Sequence, residues 1–249
     1  MDLGLDGRRA LVTGASSGLG LSTARSLASE GVEVAIVSRD IDRLRDAATT
    51  FPAGSKVHVI AADVIEPSQV DDMITEADRL MDGIDILVAN AGGPPPGNFG
   101  STSFDKYEYA LRLNLLSTVA MCRAVVPIMR RGGWGRILAI TSTSVREPIE
   151  NLILSNTARA GVTGFLKTLA REVAADGITV NTIQPGLHMT GRLAALYPDP
   201  DALGATIPTG KVGDPDDFGR VAAFMCSEHT AFITGTSLPL DGGALRGLQ

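Results

Sequence analysis

With 249 residues, a net charge of −6, 44% hydrophobic residues and 4% aromatic residues, the chain can bury a sizeable core, built mainly from Val, Ile, Leu and Ala. The acidic balance excludes a non-specific grip on nucleic acid or an anionic membrane, and no basic groove with interleaved aromatics is present. No run of 18 apolar residues occurs, and Met1–Gly7 lacks a positive patch followed by an apolar stretch, so a cytoplasmic protein with no membrane span is expected.

In chain order, Arg9–Thr13 reads as a buried strand and residues 18–30 as a helix with Leu19, Ala24, Leu27 and Ala28 inside and Gly31 as its stop. Residues 32–37 form the second predicted strand, followed by a charged helix over about 41–50. Val57–Ala61 is the third strand, and Ser68 marks the start of an amphipathic helix ending near Gly83. Residues 84–89 give the fourth strand. Longer helices are expected around 103–131 and 155–175, with strands over 136–141, 178–183 and Ser237–Leu240. Strands alternating with helical patterns imply βαβ units and a parallel sheet. No linker or repeat interrupts them, so the fold is read as α/β, a single doubly wound Rossmann-type domain over residues 1–249. Cys122 and Cys226 match no metal spacing and read as two reduced thiols; no metal site is expected.

Between the first strand and first helix lies Thr13-Gly-Ala-Ser-Ser-Gly-Leu-Gly20, which places Gly14, Ser16, Ser17, Gly18, Leu19 and Gly20 at a strand–turn–helix junction. Glycine there permits unusual φ values and close approach of a pyrophosphate, which the unpaired N–H groups and dipole of the helix start attract. The alternative is a tight turn with no ligand. At the end of the second strand, Ser38-Arg39 stands where an NAD-selective site places a carboxylate. A hydroxyl beside a planar guanidinium suits a 2′-phosphate, so NADP(H) is expected over NAD(H). The alternative for Arg39 is a solvated strand-end charge. Asn90-Ala91-Gly92, after the fourth strand, lets a ribose approach the backbone.

Together with Asn114, Ser142, Pro185-Gly186 and the terminal Leu240-Asp-Gly-Gly243, these motifs resemble the short-chain dehydrogenase/reductase family over essentially the whole chain. Within it, the nearest resemblance is to 3-oxoacyl-(acyl-carrier-protein) reductases. The resemblance implies that Asp63 and Val64 border the adenine and that Pro185, Gly186 and Thr190 contact the nicotinamide. It also implies that Ser142 holds the substrate oxygen, that Asn114 supports a water relay, and that the segment after Gly186 forms a lid. Partners implied are a small carbonyl or alcohol substrate, an acyl thioester among them. A homodimer or homotetramer is implied through the helices at 103–131 and 155–175 and the C-terminal segment.

The sequence departs from the family at the proton donor. The family opens a helix about thirteen residues after the serine with Tyr-x-x-x-Lys; here the count lands on Ser155-Asn-Thr-Ala-Arg159. A serine hydroxyl is a far weaker acid than a phenol near ~10, and guanidinium does not deprotonate, so Arg159 can bond a ribose but not relay a proton. The ordinary structural readings are a helix N-cap for Ser155, a surface cation for Arg159, a helix kink for Asn114 and a strand-end cap for Ser142. Tyr197 and His188 are the candidate relocated proton donors. Tyr107 and Tyr109 read as packing residues, and Glu147 and Glu150 as solvated loop charges. Two functions therefore stand: an NADP(H)-dependent oxidoreductase with a weakened proton-donor site, or a non-catalytic NADP(H)-binding sensor or inactive partner subunit.

Overall fold

The computed structural model describes residues 1–196 and 199–248. The strands are β1 (Arg9–Thr13), β2 (Glu33–Ser38), β3 (Val57–Ala61), β4 (Ile86–Ala89), β5 (Gly135–Ile140), β6 (Ile178–Pro185) and β7 (Ser237–Leu240), all in one sheet of order β3-β2-β1-β4-β5-β6-β7. Every pairing is parallel, with Leu11 opposite Ala35 on one side and Leu87 on the other. Strands covered on both faces need continuous apolar runs rather than alternation, and β1, β2 and β4 have them.

One face of the sheet packs on α1 (Gly18–Ser29), α2 (Ile41–Ala48) and α9 (Pro215–Met225), through Leu27, Leu44, Phe218 and Ala222, with the short helices α7 (Gly191–Leu196) and α8 (Pro200–Gly204) preceding α9 in the chain. The other packs on α3 (Pro67–Met81), α5 (Ser117–Gly132) and α6 (Ile153–Val173), through Val70, Met73, Met121, Val125 and Leu166. The helices α1 and α9 approach closely because Gly219 has no side chain: a Cβ there would sit 2.4 Å from the Ser22 carbonyl oxygen. Cys122 and Cys226 are free and buried, and burial pushes both thiols up to about 12. The strand order reverses between β1 and β4, which opens a crevice at their carboxyl ends.

Several boundaries differ from expectation, each for a local reason. Helix α3 starts at Pro67, with Glu66 as N-cap, because proline suits the first helical turn; Ser68 lies inside it. Helix α6 starts at Ile153 with Leu152 as N-cap, so Ser155 is an interior helical residue and not a cap. α4 (Phe104–Leu111) runs through a π-helical turn (Arg112–Leu116) into α5. The resulting helix, Phe104–Gly132, is long and apolar enough by length and composition to cross a membrane, although no continuous apolar run marks it. Its inner side carries Met121, Cys122, Val125, Val126 and Met129 into the core.

Candidate functional site

The glycine turn is shaped by contacts that exclude side chains. Gly14 and Gly18 both have φ of +59°, and a Cβ on Gly20 would lie 2.4 Å from the Gly14 carbonyl oxygen and 2.7 Å from Asn90 Nδ2. Asn90 braces this turn: its Nδ2 donates to the Gly14 oxygen (3.2 Å), while Thr13 Oγ1 donates to the Asn90 oxygen (2.8 Å). Ser17, the N-cap of α1, makes no side-chain capping bond, so its hydroxyl does not satisfy the first-turn N–H groups of that helix. Leu19 is the second residue of α1, half-buried.

The cleft beside this turn has a volume of about 330 Å³ and brings together Gly14, Ser16, Ser17, Ser38, Arg39, Asp63, Val64 and Asn90–Gly92. Arg39 is 70% exposed and stands 4.0 Å from Asp63. Asp63 also forms an Asx turn, accepting from the Ile65 N–H (3.1 Å). Arg43 and Leu113 line the same cleft and were not singled out from sequence, and Tyr109, read from sequence as a packing residue, lines it as well. Arg43 had a usable signal: it lies one helical turn beyond Arg39, just inside α2, where the Asp40 cap fixes its backbone (3.1 Å). A phosphorylated dinucleotide fits this donor set, since the glycines leave a cradle that any Cβ would fill and two guanidinium groups stand at the end of β2.

At the other end, polar groups are already joined to one another. Asn114 lies in the π-helical turn, and its Nδ2 donates to the Gly92 oxygen (3.1 Å), while its Oδ1 is buried without a partner. Such turns concentrate at functional sites. Arg159 is 9% exposed, so it is not a surface cation. Its Nη1 donates to the Ile140 oxygen (2.9 Å) and its Nη2 to the Ala91 oxygen (3.3 Å), which ties the ends of β4 and β5. Ser155, one turn earlier on α6, is 8% exposed.

Ser142 caps a short 3-10 turn (Thr143–Val145), its Oγ accepting from the Ser144 N–H (3.1 Å). Thr143 Oγ1 donates to the Pro185 oxygen (3.4 Å). Arg146 reaches across β6, donating to Gln184 Oε1 (2.7 Å) and the Ser237 oxygen (2.6 Å), and so fastens the segment that carries Ser142. The proline-rich loop after Gly92 is fastened too, by Gly97 N–H to the Asn151 oxygen (2.7 Å) and Ile153 N–H to the Gly97 oxygen (3.2 Å). Gly186 is required for a packing reason, since a Cβ there would stand 2.8 Å from Asp241 Cα. Thr190 faces Gly18, its Cγ2 3.5 Å from where a Cβ on that glycine would be, so the segment after β6 reaches over the glycine turn.

His188, one of the two candidate relocated proton donors, is not placed with these groups. His188 lies instead in a cavity of about 660 Å³ lined by Ile207, Gly213, Phe218 and Leu240. Its ring meets Phe218 edge-on at 5.2 Å, and its Nδ1 donates to the Gly186 oxygen (3.3 Å). Burial pushes this imidazole below its ordinary range. Tyr197 lies outside the described residues. Tyr107 packs beside Ala110, Leu154 and Ala158, while Glu147 and Glu150 are exposed.

Residues 14–244 match the family described as Enoyl-(Acyl carrier protein) reductase. The chain is 32% identical over 244 residues to "Dehydrogenase/reductase SDR family member 4" of Sus scrofa, covering 96% of this chain and 88% of that one. It is 32% identical over 246 residues to "3-oxoacyl-[acyl-carrier-protein] reductase FabG" of Aquifex aeolicus, covering 98% and 99%. Among solved structures it superposes on L-sorbose reductase from Gluconobacter frateurii, complexed with NADPH and L-sorbose, with a TM-score of 0.95, 32% identity and full coverage of both chains.

Proposed function

The chain belongs to the short-chain dehydrogenase/reductase family, and from that premise we propose that it is an NADP(H)-dependent oxidoreductase of a carbonyl/alcohol pair with a weakened proton-donor site. The observation that carries this reading is the cleft at the β1/β4 crevice, where uncapped N–H groups at the start of α1 and the guanidinium groups of Arg39 and Arg43 converge. The NADPH complex of L-sorbose reductase supports it.

In this reading Gly14, Ser16, Ser17, Gly18, Leu19 and Gly20 hold the pyrophosphate against the backbone. Ser38, Arg39 and Arg43 hold the 2′-phosphate. Asp63 and Val64 border the adenine, Asn90, Ala91 and Gly92 admit its ribose, and Arg159, Pro185, Gly186 and Thr190 hold the nicotinamide side. When bound, the nicotinamide supplies or accepts the hydride. Ser142 is placed to donate from its hydroxyl to the substrate oxygen, because its Oγ already accepts from Ser144 and keeps its own hydrogen. Asn114 offers its unpartnered Oδ1 to a water or substrate hydroxyl.

Ser155 and Arg159 take the places of the family's tyrosine and lysine in this reading. Neither restores the lost chemistry: serine is the weaker acid, and Arg159 keeps its protons on two strand-end carbonyls. General acid–base assistance is typically worth ~10²–10⁴-fold, so slow turnover is expected. The same clamp favours the second reading, a nucleotide-binding sensor or inactive partner subunit, since it leaves the cofactor end intact while fixing Arg159 in a structural role.

The relatives support two substrate classes, 3-oxoacyl thioesters and polyol-related ketones such as the sorbose of the solved complex. We also propose a homodimer or homotetramer through α4–α5 and α6, on whose outer surface Leu116 is exposed. The test is NADPH oxidation with both substrate classes, in the wild type and in Ser155→Ala. Turnover lowered by that substitution supports the enzyme reading; nucleotide binding without turnover on either class supports the sensor reading.

A further inference from the structure

At the edge of the sheet opposite the cleft, where β5, β6 and β7 begin, a cavity of about 360 Å³ is lined by Trp134, Arg136, Thr179, Glu228 and Thr234, among others. Arg136 is 3% exposed, yet no carboxylate among the described residues forms an ion pair with it. Its neighbours show what is missing: Arg9 at the start of β1 is paired with Asp85 at 2.8 Å, and Arg8 with Glu228 at 2.9 Å. Arg136 makes bonds only to carbonyls, Nε to Ser227 (3.1 Å) and Nη1 to Gly135 (2.9 Å) and Gly177 (3.4 Å).

The side chain opposite it in register, Thr179 on β6, is 5% exposed, and its Oγ1 is buried without any partner. Thr234 Oγ1 accepts from the Val180 N–H (3.1 Å), which leaves its own hydrogen to donate. Two hydroxyls with a hydrogen to donate, those of Thr179 and Thr234, therefore line one cavity with the Arg136 guanidinium, and its one carboxylate, Glu228, is held by Arg8. Positive charge is in excess as well. Both Arg8 and Arg136 lie over the Trp134 ring, 3.9 and 4.2 Å from its centroid, against the single charge of Glu228. Burial, the largest cause, and the nearby Arg8 lower the pKa of Arg136, while Cys226 and Glu228 act in the opposite sense. A buried donor without an acceptor is costly, and a buried charge more so.

We propose that this cavity is a binding site for a small oxyanion, a carboxylate or a phosphate, held by Arg136, Thr179 and Thr234. The site lies at the opposite edge of the sheet from the nucleotide cleft and does not depend on the reading of that cleft. Its ligand is acceptor-only and singly or doubly charged, and the Trp134 ring, stacked against the binding guanidinium, reports its arrival.

Trp134 is the single tryptophan in the chain, so its emission is a local probe. The experiment titrates inorganic phosphate and, separately, acetate at constant ionic strength set with chloride, while Trp134 emission is recorded. The expected result is a saturable change with at least one of the two, and the comparison of their half-saturation points tells phosphate from carboxylate. Thr179→Val keeps the shape and removes the hydroxyl, so it should raise the half-saturation point about tenfold, the worth of a hydrogen bond to a charged group. Arg136→Lys, which retains a charge but loses the fork, should weaken binding as well; nucleotide affinity serves as the control that both variants are folded. No saturable change with either anion in the wild type would overturn the proposal. So would a saturable change that Thr179→Val leaves unaltered, because the anion would then sit elsewhere, for instance at the glycine turn.

Discussion

At the glycine-turn end of the cleft, α1 starts without a side-chain cap and Arg39 stands largely in solvent, whereas at the far end Arg159 is buried and bonded to two strand carbonyls. One end holds its donors open for a ligand; the other uses its strongest donor to hold the sheet together. The arginine side chain makes that possible, because its planar fork reaches Ile140 and Ala91 at once. In the proposed reading binding and chemistry are separable properties of this fold, and the chain keeps the first more fully than the second.

The sharpest way to break this contrast is at Gly20. Gly20→Ala places a Cβ against the Gly14 oxygen and Asn90, so the turn must shift; overpacking of this kind costs about 1–3 kcal/mol. Nucleotide affinity should fall about 10–100-fold, read by fluorescence titration, with a matching loss in urea unfolding. Next in size is Arg159→Ala, which strips two carbonyls of their donors. A loss of about 1–3 kcal/mol in unfolding free energy is expected. Arg159→Lys should recover part of it, and an unchanged stability in both variants would show that the clamp is not structural.

Arg39→Ala should weaken NADPH about tenfold, the lower range for a charge-assisted bond at an exposed site, and leave NADH unchanged. Equal effects on both nucleotides would remove Arg39 from the 2′-phosphate. The smallest effect concerns His188, which belongs to neither end. Burial lowers its pKa in the folded state, so the unfolded chain binds the proton more readily. The stability it contributes is therefore fully present above the unfolded value near 6.5 and is lost as pH falls through that value toward the folded one. Melting temperatures between about pH 7.5 and 5 should fall less steeply in His188→Gln than in the wild type.

The seven strands were legible in the sequence because β1, β2 and β4 are continuous apolar runs, and the glycine turn because its φ values and close contacts tolerate little else. Two features were hidden. Ser155 read as a helix cap because an N-cap serine and an interior one look alike until Leu152 is seen to start the helix. Arg159 read as a surface cation because burial of a guanidinium depends on distant carbonyls, Ala91 being 68 residues away. The roles of Arg146, which fastens the Ser142 segment, and of His188, which packs on Phe218, depend equally on tertiary neighbours.

The most direct measurement is a fluorescence titration of the purified protein with NADPH and, in parallel, NADH. Saturable binding of both, with NADPH the tighter, is the result expected of a cleft built for a 2′-phosphorylated dinucleotide. Binding of neither, or equal affinity for the two, would contradict that assignment of the cleft.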